Sequence, residues 1–305
     1  MAFISRGYAE SEEQKRQVMT GAARRFDAGG LIKLRHGQTY YRLDGNEHER
    51  LLICIHGWST ASYVWEPLRP LLRDLGYRLL TYDLYGRGFS DRPDVANSAE
   101  LFSRQLAELL ERLGLSTDGM NIVGYSMGGA IAARFVSERL SDVERLLFIA
   151  PAGMAVQLPV LRFIARRKPE VFDAHIMAGL QKLLPKQFRR EAKGFLDDEQ
   201  VAEVLRNQNR ELNYRGYLPS LVSSLNGVLA SRMMAEHRKI AGSNVKVRAL
   251  FADEDGTIPF SDARDLFDRW QPGGRSRVLK GAGHGVTYTH PDLIMEKARD
   301  LLVLP

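Results

Sequence analysis

The sequence predicts an α/β protein with a mostly parallel sheet covered by helices on both faces. Short apolar runs typical of buried strands alternate along the chain with segments of helical periodicity. Residues 151–240 interrupt this alternation with several helices and no convincing strand. Polar or glycine-rich clusters directly follow the predicted strands, and the carboxyl ends of parallel strands meet at the edge of the sheet where ligands bind. The pattern therefore predicts a site at that edge.

Each element follows from its local pattern. A charged segment with apolar residues a helical repeat apart predicts a surface helix within residues 9–26, which Gly29 and Gly30 end. Alternating residues around a turn at 35–38 predict a hairpin, and continuous apolar runs predict buried strands. The predicted strands are Leu31–Leu34, Thr39–Leu43, Leu51–Ile55, Tyr77–Tyr82, a strand ending at Ile122–Val123, Arg145–Ala150, Val245–Phe251 and Ser276–Leu279.

Helical spacing of apolar residues predicts the helices between these strands. They are Tyr63–Leu75, Ser98–Leu113 with Asn97 or Ser98 as its cap, Met127–Leu140, Ser261–Arg269 and Pro291–Leu302. Within residues 151–240 the helices are predicted to be separated by Pro159, Pro169, Pro185 and Pro219. The predicted organisation is an N-terminal helical extension at 1–28, a core at 29–150 and 241–305, and a helical insertion at 151–240.

The composition of the 305 residues is that of an ordinary globular enzyme, with 44% apolar and 26% charged residues. The single cysteine, Cys54, excludes an intramolecular disulfide and argues against a thiolate metal site. Because it lies within the apolar run Leu51–Ile55, we expect a buried, inert thiol. The N-terminal residues lack the apolar segment of a signal peptide, so we expect a cytoplasmic protein.

The net charge of +6 is concentrated in one segment. Residues 151–240 hold 15 Lys and Arg against 9 Asp and Glu, so the remainder of the chain is neutral overall. These basic residues are scattered and have no regularly spaced aromatic partners, which argues against nucleic-acid binding.

The pattern Gly124-x-Ser126-x-Gly128 stands between a predicted strand and a predicted helix. A serine on such a turn projects its hydroxyl away from the backbone, and glycines flank it because side chains there would collide with the neighbouring strand and helix. The N-terminus of the helix also points at the place where an oxyanion would form. Ser126 is therefore the candidate nucleophile.

A serine hydroxyl needs a base to take its proton, and the base needs an orienting partner. His284 is the candidate base, because it follows the last strand within a glycine-rich loop. His56 also follows a strand but precedes Gly57, so we interpret it as a buried residue that shapes its loop. The partner should follow a strand between Ser126 and His284.

Three acids at that place, Asp253, Glu254 and Asp255, are candidates for the orienting partner. We choose Asp255, since Gly256 can then turn the chain and Pro259 can begin the next helix. The order Ser, Asp, His is the one expected when this triad is built on an α/β sheet.

At this point the chain resembles the α/β-hydrolase superfamily over roughly residues 30–150 and 241–305. The motifs that carry the resemblance occur in order along the chain. They are Ile55-His56-Gly57-Trp58, Asp83-Leu84-Tyr85-Gly86-Arg87-Gly88-Phe89-Ser90, Gly124-Tyr125-Ser126-Met127-Gly128-Gly129, Asp255 four residues before Pro259, and Gly283-His284.

The resemblance implies an α/β-hydrolase fold in which residues 151–240 are a helical cap inserted after the sixth core strand. It also implies that the backbone N–H groups of Trp58 and Met127 form the oxyanion hole. Since the nucleophile is a serine, the aspartate-dependent branches are disfavoured. Within the superfamily the chain looks most like capped carboxylesterases and monoacylglycerol lipases, which use no metal and no cofactor.

The uncharged stretches Leu146–Leu161 and Tyr217–Ser231 indicate an apolar roof over the serine. We therefore expect a small-molecule ester with an apolar acyl or aromatic group, contacted by Trp58, Tyr125 and Leu158. The neighbouring residues Arg162–Lys168 mix apolar side chains with four cations. They predict either a solvated helix face or an interfacial helix that touches anionic lipid.

The expected activity is hydrolysis of a carboxylic ester through an acyl-enzyme. One alternative is a carbon–carbon bond hydrolase of aromatic meta-cleavage products, which would need an arginine near the pocket to hold a carboxylate. Arg162, Arg189 and Arg215 are the candidates for that role. The other alternative is a ligand receptor on a hydrolase fold, which the complete set of Ser126, Asp255 and His284 disfavours.

Overall fold

The computed structural model describes residues 29–154 and 169–303, and the side chains of 169–174 are not among the described parts. The predicted extension at 1–28 and part of the predicted cap, including Leu158 and Arg162–Lys168, lie outside these ranges. Predictions that depend on them stay predictions.

The described residues form one eight-stranded sheet with the order β1-β2-β4-β3-β5-β6-β7-β8. The strands are β1 Gly30–Leu34, β2 Gly37–Asp44, β3 Arg50–Ile55, β4 Tyr77–Tyr82, β5 Met120–Tyr125, β6 Val143–Ile149, β7 Lys246–Ala252 and β8 Arg275–Leu279. Strand β2 pairs antiparallel with β1 and β4, and every other pair is parallel. This confirms the predicted mostly parallel sheet.

Helices connect most of the strands. They are α1 Arg69–Arg73, α2 Ala99–Arg112, α3 Met127–Ser137, α4 Pro169–Glu191, α5 Glu199–Glu211, α6 Tyr217–Asn226, α7 Met234–Ala241, α8 Phe260–Trp270, α9 Val286–Thr289 and α10 Pro291–Leu302. Ser98 caps α2, since its side chain accepts the N–H of Leu101. None of the helices in the described ranges is both long and apolar enough to cross a membrane.

Successive side chains of a strand point to opposite faces of the sheet, and helices cover both faces. In β3, Ile53 and Ile55 pack in one apolar cluster with residues of α2, α3 and α8. Leu52 and Cys54 pack in a second cluster with residues of α1 and α10. Cys54 is fully buried, and burial raises the pKa of its thiol to about 12. The predicted burial of this thiol is confirmed.

The predicted helix Tyr63–Leu75 is wrong in one respect, because the structure divides it. A 3₁₀ turn at Ser62–Trp65 precedes the short helix α1. Pro70 has no N–H to donate to the carbonyl of Glu66, which disfavours a continuous α-helix through this point. Pro70 instead occupies the first turn of α1, where prolines are tolerated.

The prediction that Pro185 separates two helices is also wrong. Helix α4 continues through Pro185, although a proline removes one helical hydrogen bond. Leu184 and Phe188 on either side of it are fully buried in a third apolar cluster. Burial of these large side chains, at about 25 cal/mol per Å² of apolar surface, offsets the cost of the lost bond.

Helices α4 to α7 lie between β6 and β7 in the order of the chain. A buried carboxylate attaches one of these helices, α5, to the loop after β4. Glu211 accepts the backbone N–H of Gly88 at 2.8 Å and the hydroxyl of Tyr63 at 3.2 Å. Arg92 lies 3.6 Å from the same carboxylate. Burial raises the pKa of Glu211 to about 7. This contact therefore contains a group that titrates near neutral pH.

Candidate active site

Ser126 lies on the sharp turn between β5 and α3, with a backbone φ of 53° and ψ of −121°. A positive φ is strained for a residue with a side chain, and such outliers concentrate at functional sites. The turn brings its neighbours very close together, since a Cβ on Gly124 would lie 2.6 Å from the carbonyl oxygen of Gly128. A Cβ on Gly128 would collide with the carbonyl of Ile55. The predicted need for glycine at both positions is confirmed.

The structure brings Ser126, His284 and Asp255 together in a hydrogen-bonded chain. Nε2 of His284 lies 2.9 Å from Oγ of Ser126, and Nδ1 lies 2.7 Å from Oδ2 of Asp255. Both Ser126 and His284 are buried. With the proton on Nδ1 donated to Asp255, Nε2 is free to accept the serine proton, which is the arrangement that general-base catalysis requires.

Asp255 is held by its own hydrogen bonds. Its Oδ1 accepts the backbone N–H groups of Thr257 at 2.7 Å and Ile258 at 2.8 Å, so Oδ2 faces His284. Asp253 does not take this place, because its Oδ1 accepts the N–H of Gly281. The carboxylate that reaches His284 is thus the one chosen from the sequence.

The electrostatic surroundings favour a charged imidazole at His284. Burial alone would lower the pKa of His284, but the charge of Asp255 and its hydrogen bond outweigh burial and raise this pKa. The charge of Glu191 raises it further. The hydroxyl of Tyr125 donates to the carbonyl of His284 at 2.8 Å and helps to hold the residue in place.

His56 has the structural role predicted for it. Its Nδ1 donates to the carbonyl of Gly57 and its Nε2 accepts the N–H of Leu84, each at 2.9 Å. Burial lowers the pKa of His56 to about 3, so the ring stays neutral. It joins the loops that follow β3 and β4.

Gly57 brings the loop after β3 against the serine, and Trp58 follows it. A Cβ on Gly57 would lie 3.3 Å from Cβ of Ser126. Met127 is the first residue of α3, and N–H groups in the first turn have no acceptor within the helix. The N–H groups of Trp58 and Met127 remain the predicted donors for a developing oxyanion. The side chain of Met127 is itself buried in the core.

Arg87, for which the sequence suggested no role, supports this loop. It is fully buried and donates to the carbonyls of Trp58 at 3.0 Å and Tyr85 at 3.2 Å. It also donates to the hydroxyls of Ser220 at 2.6 Å and Ser224 at 2.7 Å, both in α6. Burial lowers the pKa of Arg87 to about 10. Its motif is one of those that carry the resemblance, but its partners in α6 could not be found from the sequence.

A cavity of about 390 Å³ opens on the serine. Its wall includes Ser126, His284 and two of the predicted substrate contacts, Trp58 and Tyr125. The helices between β6 and β7 contribute His175, Ile176, Gly179, Leu180, Leu183, Gln187, Arg190, Glu191, Leu225 and Leu229. The cavity is therefore shared between the sheet edge and the helical segment.

Of the arginines that the sequence suggested for a carboxylate, Arg162 lies outside the described residues, and Arg189 and Arg215 are not on the wall of this cavity. Among the described residues the arginine on its wall is Arg190, whereas Arg189 and Arg215 lie elsewhere. Arg189 and Arg190 are neighbours on α4 and so point in different directions, which a sequence pattern could not resolve. Over the ranges that are described, no cluster of three His, Cys, Asp or Glu residues suits a metal ion.

Known proteins of similar sequence include esterases. The chain is 27% identical over 270 residues to a pimeloyl-[acyl-carrier protein] methyl ester esterase of Pectobacterium atrosepticum, covering 85% of this chain and 96% of that one. It is 22% identical over 249 residues to a putative non-heme chloroperoxidase of Synechocystis, covering 80% and 87% of the two chains.

Solved structures share the fold. The enol-lactonase from Burkholderia xenovorans LB400 superimposes with a TM-score of 0.73 at 19% identity, over 90% of this chain and 100% of that one. The family model described as "Alpha/beta hydrolase family" matches residues 52–297, which contain Trp58, Ser126, Asp255 and His284. Fold, sequence and order of motifs agree, and the chain belongs to the alpha/beta hydrolase family.

Proposed function

We propose that this hydrolase cleaves carboxylic esters with Ser126 as nucleophile, His284 as general base and Asp255 as the residue that orients His284. The observation that carries the proposal is the hydrogen-bonded chain from Ser126 to Asp255, which ends at a largely apolar cavity. The esterase among its relatives acts on a methyl ester, as its name states, and supports the same reaction class.

In the proposed reaction His284 takes the proton of Ser126 as Oγ attacks the ester carbonyl. The N–H groups of Trp58 and Met127 hold the oxyanion, and the protonated His284 gives its proton to the leaving alcohol. Water, deprotonated by His284, then attacks the acyl-enzyme and releases the acid. Every step uses groups of this chain and of the substrate.

We also propose that residues 151–240 act as a cap, since α4 supplies much of the cavity wall and α6 contributes Leu225 to it. Trp58 and Leu180 make part of this wall apolar, which suits an aliphatic or aromatic group of the ester. A carbon–carbon hydrolase of dienoates is the weaker candidate, because such a substrate is an anion and Glu191 also faces the cavity.

The test combines active-site labelling with turnover. We would treat the wild type, Ser126→Ala and Ser141→Ala with a fluorophosphonate probe and measure hydrolysis of p-nitrophenyl esters of increasing acyl length. Ser141 is an exposed serine outside the cavity and serves as the matched control. Loss of labelling and a fall of about a millionfold in kcat for Ser126→Ala alone is expected. Equal turnover by Ser126→Ala and the wild type would reject the mechanism.

A further inference from the structure

Glu191 is a carboxylate on the wall of the cavity that contains Ser126 and His284. It is the last residue of α4 and is half-buried. Its Oε1 accepts the amide of Gln187 at 2.8 Å and the hydroxyl of Thr257 at 3.3 Å. Both of these bonds go to Oε1, and the buried hydroxyl of Tyr288 lies beside the carboxylate. A carboxylate oxygen can accept more than one hydrogen bond, so Oε2 keeps lone pairs for a further donor.

Thr257 connects this carboxylate to the residues that carry the proposed chemistry. The backbone N–H of Thr257 donates to Asp255, and its hydroxyl donates to Glu191. Glu191 is therefore held at a defined place beside the His284–Asp255 pair. A carboxylate fixed in this way can select a ligand group at low entropic cost.

The charge of Glu191 is felt by the buried groups around the serine. It contributes to raising the pKa of His284. It also raises the pKa values of Tyr125 and Tyr288, for which burial is the larger cause. Charges interact in this way when they are close and poorly screened. A charged group of a bound substrate would lie in the same cavity and would experience the same field.

The cation on the cavity wall does not cancel this field. Arg190 is exposed to solvent, whereas Glu191 is half-buried and hydrogen-bonded. Solvent and salt screen an exposed charge much more strongly than a buried one. The interaction of two unit charges about 5 Å apart, at an effective dielectric constant of about 20, changes a binding constant by roughly 300-fold. Partial exposure of Glu191 reduces this factor, and we expect a preference of at least tenfold for a cationic group over an anionic one.

We propose that Glu191 selects substrates by charge. The cavity takes esters that carry a hydrogen-bond donor beside the ester bond, either a hydroxyl or an ammonium group. It excludes esters that carry a carboxylate at that position. The proposal rests on the proposed esterase function and names the substrate class of the same site. The apolar wall holds the hydrocarbon part of the ester, and Oε2 of Glu191 accepts the donor.

Turnover of matched esters tests the selection. One set varies the acyl side with methyl β-alaninate, methyl hydracrylate, methyl butanoate and monomethyl succinate. The other set varies the alcohol side with four acetate esters, formed on dimethylaminoethanol, on one hydroxyl of ethylene glycol, on propanol and on the hydroxyl of hydracrylic acid. We would measure kcat/KM by pH-stat titration for the wild type, Glu191→Gln and Asp197→Asn. Asp197 is an exposed carboxylate outside the cavity wall and is the matched control.

In at least one set, the wild type and Asp197→Asn are expected to favour the ammonium ester over the carboxylate ester by tenfold or more. Glu191→Gln keeps an oxygen for Gln187 and Thr257 but removes the charge, so this preference should fall by at least tenfold. A ratio that Glu191→Gln leaves within twofold of the wild-type value in both sets would overturn the proposal.

Binding to an inactive variant separates this proposal from the proposed function. We would titrate Ser126→Ala and Ser126→Ala/Glu191→Gln with hexylamine, hexanol and hexanoate in a calorimeter at constant salt. Ser126→Ala should bind hexylammonium at least tenfold more tightly than hexanoate, and the double variant should not. Equal affinities, or no binding of hexylammonium, would overturn the charge selection. If the wild type hydrolyses none of the esters while Ser126→Ala still prefers hexylammonium, the esterase function is rejected and the selective site stands.

Discussion

The indole N–H of Trp58 donates to the backbone carbonyl of Leu221 at 2.9 Å. This bond connects the loop after β3, which bears a proposed oxyanion donor, to helix α6 of the segment between β6 and β7. Arg87 makes a second connection between the same two parts, through the carbonyl of Trp58 and the hydroxyls of Ser220 and Ser224. The position of the loop therefore depends on the position of α6.

Trp58→Phe should lower kcat about fivefold with a smaller change in KM. An aromatic ring is retained, although a smaller one, but the bond to Leu221 is lost, and one such bond contributes about 1 kcal/mol. The loosened loop would hold the oxyanion less well. Steady-state kinetics on a p-nitrophenyl ester would measure this, with Trp270→Phe, which lies outside the cavity, as the control. An unchanged kcat would show that the bond from Trp58 to Leu221 does not position the loop.

Asp255→Asn should reduce kcat by about ten-thousandfold, the effect of the same change in serine proteases. Oδ1 must stay an oxygen, because it accepts the N–H groups of Thr257 and Ile258. The new NH₂ group would then face Nδ1 of His284 and stabilise the wrong tautomer. Asp253→Asn and Glu254→Gln, measured in the same assay, should retain most of the activity. Greater sensitivity at Asp253 would contradict the geometry described above.

The acidic limb of the pH dependence of kcat/KM should have its midpoint above pH 6.5, the ordinary pKa of a histidine. The neutral imidazole is the active form, and the raised pKa of His284 means that activity is lost at a higher pH as the pH falls. Glu191→Gln removes one contribution to this shift, so its limb should move to lower pH. A pH–rate profile of both proteins checks the direction. A limb that moves upward would contradict the described electrostatics.

The contribution of Glu211 to the free energy of unfolding should decrease as the pH rises from about 4.5 to about 7. Its folded pKa of about 7 exceeds its ordinary value, so the folded chain binds more protons than the unfolded chain in this interval. Each unit of difference corresponds to about 1.4 kcal/mol, which gives a loss of up to about 3 kcal/mol. The pKa of about 7 is a balance, in which burial and the charge of Asp83 raise it and the charge of Arg92 lowers it.

Glu211→Gln should remove this dependence, since the amide stays neutral at every pH. Urea unfolding of the wild type, Glu211→Gln and the exposed-site variant Glu203→Gln at several pH values would measure it. The difference in unfolding free energy between Glu211→Gln and the wild type should grow with pH. A difference that is constant from pH 5 to pH 8 would be at odds with a buried group that titrates there.

The sheet and the Ser126–His284–Asp255 chain could be predicted from the sequence because their signals are local. Each strand is a short apolar run, and the carboxyl ends of parallel strands meet at one edge, so residues that follow different strands come together. Asp255 could be chosen over Asp253 from the turn that Gly256 permits. The short helix α9 was not predicted, since its four residues give no periodicity.

The selectivity of the site could not be predicted, because it depends on how distant helices pack. Glu191 lies in a charged run that is typical of a solvated surface, and its neighbour Arg190 points to the same cavity only because of the orientation of α4. Arg87 lies in a recognisable motif, yet its partners in α6 are far away in sequence. Proline rules also failed at Pro185, where burial of Leu184 and Phe188 outweighs the lost hydrogen bond.

The single cysteine makes the chain suitable for site-specific labelling. Because Cys54 is enclosed in the central sheet and its thiol stays protonated, maleimide reagents would not reach it in the native protein. A cysteine introduced at exposed Asp197 and another at exposed Ser141 would then carry a donor and an acceptor dye in an otherwise unaltered protein. The distance between the dyes would report in real time whether α4 and α5 move against the sheet while an ester enters and its products leave.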